Sequence, residues 1–314
     1  MILITGANGF IGKAVKKDLT GRGRPVRGAV RRDSGEGGRV IGDIGPETDW
    51  REHLAGVDTV IHTAARVHVA NDSASDSLDR FRRINAAGTR RLAEEAAGNG
   101  VKRLVFTSSI KVNGESTDGC GPDQFFTPLD EPRPADAYAL SKLEAEQALQ
   151  DVARRTGLEV VIIRPPLVYG PGVRANFRRL MHLVYKGVPL PLASVDNRRS
   201  MAALDNLVDL LIRCVDHPEA AGRTFLVSDG QDLSTPELIR LIARAMNRKA
   251  LIFPFSKRLL KGAGAVTGLS GVVNRLTGSL RADIACTRNT LDWEPPVSVE
   301  RGVRSAVDSY IKEK

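Results

Sequence analysis

Tyr138 and Lys142 stand four residues apart in a stretch that reads as helix, so both side chains fall on one face. A free tyrosine titrates near about pH 10 and is a poor base at neutral pH. An ammonium on the same face would stabilise the phenolate and bring that pKa down. Such a tyrosine can exchange a proton with a hydroxyl or carbonyl while hydride moves to or from a nicotinamide ring. Ser108 and Ser109 close the apolar run Leu104 to Thr107, and a hydroxyl at a strand end could bond the same reacting oxygen. Taken singly, the first pair also reads as a surface helix and the second as a strand-end turn. A third feature is the run Thr5-Gly6-Ala7-Asn8-Gly9-Phe10-Ile11-Gly12, which follows a short apolar stretch. Glycines so spaced make a tight turn, admit a pyrophosphate to the backbone and let helix and strand pack closely. The helix N-terminus that follows faces the phosphates. Order along the chain and expected placement around one cleft tie the three features together.

The elements that must position these residues follow from periodicity. Met1 to Ile4, Pro25 to Val30, Val40-Ile41, Val57 to His62, Leu104 to Thr107 and Val160 to Ile163 read as strands. Helical spacing links Ile11, Ala14, Val15 and Leu19, then Phe81, Ile84, Gly88 and Leu92, then Tyr138 to Ala153. This alternation predicts an α/β fold, a doubly wound parallel sheet of the Rossmann kind. After Pro166 the pattern loosens into loops at Gly170-Pro171-Gly172 and Gly187 to Pro191, and Ser234 with Glu237 forms a capping box. The expected division is a dinucleotide-binding domain over 1–170, with part of 198–228 returning to it. A smaller, partly interleaved C-terminal α/β substrate domain takes up most of 171–314.

The end of the second strand reads the adenosine ribose. Arg31 stands where an acid would accept from the 2′-hydroxyl, which points to NADP, with Arg32 beside it. The other reading leaves both arginines solvated, gives the hydroxyl to Asp33 and makes the cofactor NAD. The 314 residues are 42% hydrophobic and 26% charged, ordinary for a chain that buries a full core, and carry a net charge of +9. Aromatic content of 5% and scattered basic residues argue against nucleic-acid binding. Three widely spaced cysteines, Cys120, Cys214 and Cys286, read as reduced structural residues, without metal-ligand spacing. Met1 to Ile4 run straight into the glycine turn, so no signal peptide and a cytoplasmic location are expected. The stretch Leu259 to Val273 is too broken by Lys261 and glycines to span a membrane. A surface role for Lys257 to Arg275 is a separate idea that liposome binding would test.

Together these residues resemble the extended short-chain dehydrogenases, the NAD-dependent epimerase/dehydratase family, over almost the whole chain. Gly6, Asn8, Gly9, Phe10, Ile11 and Gly12 lie in a run like the family's glycine signature. Asp43-Ile44 looks like its adenine-contacting pair, and His62-Thr63-Ala64-Ala65 resembles the segment beside the cofactor. Asn85 with Gly88-Thr89, Arg164-Pro165, Tyr169 to Gly172, and Leu291-Asp292-Trp293 with Pro295 match further motifs. The resemblance implies Ser109, Tyr138, Lys142 and Asn85 as catalytic residues. Around the cofactor it places the glycine turn, Arg31, Arg32, Asp43, Ile44, Thr63, Ala64, Ala65, Asn85, Ser108, Tyr138, Lys142 and Pro165. For a UDP-sugar it implies Ser109, Tyr138, Asn176, Arg198 or Arg199, and Arg275. A homodimer is expected by the same analogy.

Departures narrow the chemistry. Ile110-Lys111 stand where the family's 4,6-dehydratases carry an Asp-Glu pair, which argues against dehydration. Asn113 replaces a tyrosine usual in the family. The later segments are most similar to bacterial 4-reductases of UDP-4-keto-6-deoxy-N-acetylglucosamine, which serve surface-polysaccharide biosynthesis, and to UDP-glucose 4-epimerase-like proteins. The expectation is therefore 4-keto reduction of such a sugar, with NADP or NAD as cofactor. A 4-epimerase with retained NAD, reduction of a non-sugar ketone, and a non-catalytic cofactor-binding regulator are the alternatives.

Overall fold

The computed structural model describes residues 1–33, 35, 37–67, 74–118 and 124–314, with the side chains of 74–77 set aside. Cys120 lies outside the described residues. The strands are β1 (Ile2–Thr5), β2 (Val26–Val30), β3 (Arg39–Val40), β4 (Thr59–His62), β5 (Arg103–Thr107), β6 (Glu159–Arg164), β7 (Leu167–Tyr169), β8 (Met201–Ala203) and β9 (Thr224–Leu226). Seven of them form one parallel sheet in the order β3-β2-β1-β4-β5-β6-β9, and β7 and β8 make a separate parallel pair. The order reverses between β1 and β4, and in open α/β sheets ligands bind outside the strand ends at such a switch.

Helices α1 (Phe10–Gly21), α2 (Arg51–Leu54), α3 (Ala74–Phe81), α4 (Gly88–Gly98) and α5 (Ala137–Thr156) connect the first six strands. A π-helical turn at Arg82–Ala87 joins α3 to α4 where sequence spacing predicts one regular helix. Wider turns of this kind are frequent at functional sites, and this one carries Asn85. The long α5 is capped by the Asp136 side chain, which accepts from Ala139 N, and stops at Gly157 with φ +78°.

Beyond β6 come α6 (Ala175–Tyr185), α7 (Leu204–Asp216), α8 (Thr235–Ala245), α9 (Lys257–Val266), α10 (Ser270–Thr277), α11 (Ala285–Leu291) and α12 (Val299–Lys312). Ser234 and Glu237 form the reciprocal box at the start of α8. The chain does not divide at one point. Helix α7 packs in the same core as Val15 and Leu19 of α1, and that core takes in Phe225 of β9, Leu291 and Trp293. A second core joins α6, α8 and α12 through Phe177, Ile239 and Val303. A third, on the other face of the sheet, holds Trp50, Leu92 and Leu149. The two sides meet at Tyr169, whose hydroxyl donates to Asp229 Oδ2 at 2.7 Å, while Asp229 Oδ1 accepts from Ala203 N and Asn206 Nδ2.

Candidate active site

The glycine turn is closed by Gly9 N donating to Gly6 O at 2.8 Å. A Cβ at Gly12 would sit 2.3 Å from Gly6 O, and one at Gly6, where φ is +67°, would sit 2.9 Å from Ala64 Cα. Neither position has room for a side chain. Gly9 caps α1 without a side-chain hydrogen bond, and the first turn holds no acidic residue. Its N–H groups are thus left for an anion. The cradle suits the pyrophosphate of a dinucleotide. Asn8 is half-buried beside it, and Phe10 and Ile11 turn partly into the cores.

The wall of this turn is tied down by side chains. Thr63 Oγ1 donates to Thr5 O at 2.7 Å, and Ala64 N donates to Thr5 Oγ1 at 3.3 Å, with Ala65 next along. His62 links Thr5 Oγ1 at 2.6 Å to Thr89 Oγ1 at 2.9 Å. Burial, and then the Lys142 charge, push this imidazole down to about 3. His62 is therefore a neutral strut between β1, β4 and α4. Ile44 lies over Gly88, where a Cβ would come within 2.6 Å of Ile44 Cγ2. At the far edge Arg31, Arg32 and Asp43 are exposed. Arg31 Nε stands 3.9 Å from Asp43 Oδ1, a pair that solvent weakens. Asp33 Oδ1 accepts from Gly35 N at 2.9 Å in its own loop.

Ser109 ends β5 in extended conformation, and its Oγ accepts from Lys111 N at 3.2 Å. A side-chain hydrogen bond also joins Ser109 to Tyr138, the second residue of α5, so the two predicted catalytic side chains are in contact. Phe81 lies edge-on to the Tyr138 ring at 6.0 Å. Burial first and the Asp136 carboxylate second push this phenol up to about 12, while the Ser109 bond pulls the other way. Lys142 shares the face of Tyr138, yet its Nζ donates to Thr107 O at 2.6 Å and lies 4.1 Å from the Phe106 ring centre. Its ammonium holds the end of β5. Burial brings Lys142 down to about 7, against the opposing pull of Glu146.

Two other predicted residues face inward. Ser108 Oγ donates to Glu146 Oε1 at 2.5 Å, so its hydroxyl belongs to the protein interior. Asn85 has both amide atoms engaged: Oδ1 accepts from Arg66 N at 2.8 Å, and Nδ2 donates to Arg66 O and to Ser141 Oγ. It pins α5 from behind. Pro165 is buried, and its carbonyl accepts from Ile110 N at 2.9 Å.

Sequence reasoning missed the group beneath these residues. Glu146 binds Arg164 through two hydrogen bonds of 3.0 and 2.6 Å, both residues being buried. Arg164 also donates to Asn113 Oδ1 at 3.0 Å, and Asn113 Nδ2 donates to Thr127 O at 2.7 Å. Asn113, unexplained as a substitution, thus completes the shell around a buried guanidinium. A signal existed: Tyr138, Lys142 and Glu146 repeat every four residues along one helix face.

On the substrate side, Arg198 and Arg199 alternate along an extended segment and so point apart. Arg198 is exposed, pairs with Glu237 at 2.8 Å, and lines a cavity of about 400 Å³ with Arg281 and Arg288. Arg199 is half-buried, donates to Gly278 O at 3.0 Å and feels the charges of Glu115, Asp118 and Arg275. Arg199 and Arg275 therefore share a neighbourhood that Arg198 does not enter. Glu115 leads back to the reaction residues, because Lys111 Nζ bridges it at 2.7 Å to Asp136 at 2.6 Å. Asn176 is exposed at the start of α6, next to Ala175 with φ +52°. Cys214 is buried and Cys286 exposed, both free. No group of described residues could hold a metal ion, and no described helix is long and apolar enough to cross a membrane.

Residues 2–228 match the NAD dependent epimerase/dehydratase family. A UDP-glucose 4-epimerase of Vibrio cholerae is 45% identical over 318 residues, covering 99% of this chain and 95% of that protein. An N-acetyl-alpha-D-glucosaminyl-diphospho-ditrans,octacis-undecaprenol 4-epimerase of Escherichia coli O157:H7 is 27% identical, with 83% of this chain and 77% of the relative covered. The solved structure of MoeE5 in complex with UDP-glucose and NAD superposes with a TM-score of 0.79 at 25% identity, over 99% of both chains. With its parallel sheet, glycine cradle and paired Ser109 and Tyr138, this chain belongs to the NAD dependent epimerase/dehydratase family of extended short-chain dehydrogenases.

Proposed function

We propose that this chain is a UDP-sugar 4-epimerase that retains NAD. The reading rests on the contact between Ser109 and Tyr138 at the end of β5, above the buried Lys142. The 45% identity to the Vibrio cholerae 4-epimerase supports the substrate class. The Gly6–Gly12 cradle and the free start of α1 would hold the pyrophosphate, with Asp43 and Ile44 near the adenine end and Thr63, Ala64 and Ala65 along the wall.

A bound nicotinamide dinucleotide supplies hydride acceptance and return. The chain's own work is proton transfer and orientation. Tyr138, as its phenolate, takes the proton from the oxygen on C4 as that carbon is oxidised and gives it back on reduction. Burial opposes that anion, and the positive charges of Lys142 and of a bound oxidised nicotinamide would favour it. Ser109 holds the same oxygen in line with the phenol. Lys142 fixes β5 against α5, and its ammonium is the nearest cation on the tyrosine's helix face. Arg199, Arg275 and Asn176 are the candidates for the diphosphate and uridine. Epimerisation needs the ketosugar to present its other face between the two transfers.

A second reading, 4-keto reduction with NADPH, is favoured by Arg31 and Arg32, exposed just beyond the end of β2. One experiment separates them. Purified protein is denatured, released nucleotide is identified, and native protein is assayed with UDP-glucose and UDP-N-acetylglucosamine. Stoichiometric NAD with interconversion at C4 is expected. Empty protein that binds NADPH and reduces a UDP-4-keto sugar would overturn the epimerase reading.

A further inference from the structure

The 45 residues from 238 to 282 carry nine Lys or Arg and no Asp or Glu. The rest of the chain is balanced, 37 basic against 37 acidic, so this one segment holds the whole net charge of +9. The same segment concentrates unburied apolar side chains. Of the fourteen large hydrophobic residues exposed among the described residues, seven fall between Leu251 and Val272.

The helical hairpin of α9 and α10 displays both features. Leu260 and Leu276 turn inward onto the core shared by α6, α8 and α12. Leu259 (62% exposed), Val266 (90%) and Leu269 (53%) turn outward. Leu259 and Val266 are seven residues apart and share a helix face. The two helices close on each other at Gly264, where a Cβ would lie 2.7 Å from Val273 Cγ2, so the hairpin is a packed unit. Lys257 and Arg258 open α9 with no acid in its first turn. Cations there oppose the helix dipole, and local helix stability gives no reason for them.

We infer that the α9–α10 hairpin seats this protein on an anionic lipid surface. An apolar helix face flanked by Lys and Arg is the arrangement that lies in a bilayer interface: the apolar residues enter the headgroup boundary and the cations meet lipid phosphates. Charge selects the occupant, because a 45-residue stretch with nine cations and no carboxylate would set like charges against a second copy of itself, whereas an anionic surface meets them with opposite charge. On the proposed function, the hairpin is also rooted beside the substrate site that Arg199 would line. Its C-terminal end runs into Gly278 and Ser279, where Gly278 O accepts from Asn197 Nδ2 and Arg199 Nη1, and Ser279 N donates to Asp118 Oδ1. Docking would hold the mouth of the cleft next to the membrane, whichever sugar it accepts.

The test is flotation of the full-length protein with vesicles of phosphatidylcholine alone and with increasing phosphatidylglycerol. Binding should rise with anionic lipid and fall with salt. Substituting Lys257, Arg258 and Lys261 by Gln should weaken it about a hundredfold. The Leu259→Ser/Val266→Ser/Leu269→Ser variant should abolish it, with C4 chemistry on soluble UDP-glucose unchanged in both. Absence of binding at every anionic content would overturn the inference. So would a dimer in solution that the serine variant dissociates, since a second copy would then cover this face.

Discussion

Around Lys142 the polar atoms sit at the C-terminal ends of inner strands β5 and β6 and are tied to one another: Lys142 to Thr107, Ser108 to Glu146, and Glu146 to Arg164. Around the α9–α10 hairpin several large apolar side chains, Leu259, Val266 and Leu269 among them, are exposed to solvent, and nearby Arg199 is only half-buried. The first region can hold an oxygen and a proton within the tolerance that catalysis needs, because its buried groups are fixed by hydrogen bonds to one another. The second region can change residue by residue with little cost to the fold. This contrast explains how one scaffold keeps its reaction chemistry while substrate and location vary.

The contrast is open to attack at several points. The largest effect should come from Tyr138→Phe. Losing the proton carrier should lower kcat by about 10²- to 10⁴-fold, with nucleotide content and melting temperature unchanged. A variant with near-normal turnover would move the chemistry to another residue, whereas unchanged biological activity without turnover would favour a regulator.

Next comes Glu146→Leu, which leaves the Arg164 guanidinium buried without its counter-charge. Denaturant unfolding should show a loss of about 3–5 kcal/mol, and adding Arg164→Met should recover much of it. A loss under about 1 kcal/mol would put this region on the same footing as the exposed one.

His62 sharpens the comparison through pH. Its folded-state pKa is depressed from 6.5 to about 3. The unfolded chain therefore binds the proton first as pH falls. The His62 contribution is complete above about pH 6.5 and is lost towards pH 3, at up to about 1.4 kcal/mol per pH unit. A His62→Gln protein should have a shallower acid limb in that window. Equal slopes would mean that the strut carries no proton linkage.

The smallest effects belong on the substrate side. Arg199→Met should raise the KM for a UDP-sugar about tenfold with kcat little changed, as loss of a charge-assisted contact does. Arg198→Met should alter KM by less than about twofold, because its partner is a surface carboxylate. The reverse order would mean that the cleft lies on the Arg198 side.

Much of the first region was legible in the linear chain. Gly6 and Gly12 are demanded by backbone contacts that no other residue permits, so their spacing is readable without coordinates. The strand–helix alternation predicted the parallel sheet for a similar reason, since apolar periodicity reports burial directly. Tyr138 and Lys142 were placed on one face by helix geometry alone.

Tertiary structure alone decided where those side chains aim. Spacing could not tell that Lys142 reaches the Thr107 carbonyl, that Ser108 turns to Glu146, or that Asn85 is consumed in pinning Arg66 and Ser141. Each outcome depends on which distant polar group lies within hydrogen-bond reach after packing, 19 to 56 residues away in the case of Asn85. Arg198 and Arg199 show the same limit. Both are arginines in one motif, and only the alternation of the extended segment within the folded chain sends one to the surface and the other to Gly278 and the neighbourhood of Arg275. Local sequence determines element and face, because those follow from neighbouring residues. Partner choice follows from the solvent-excluded contacts of the whole fold.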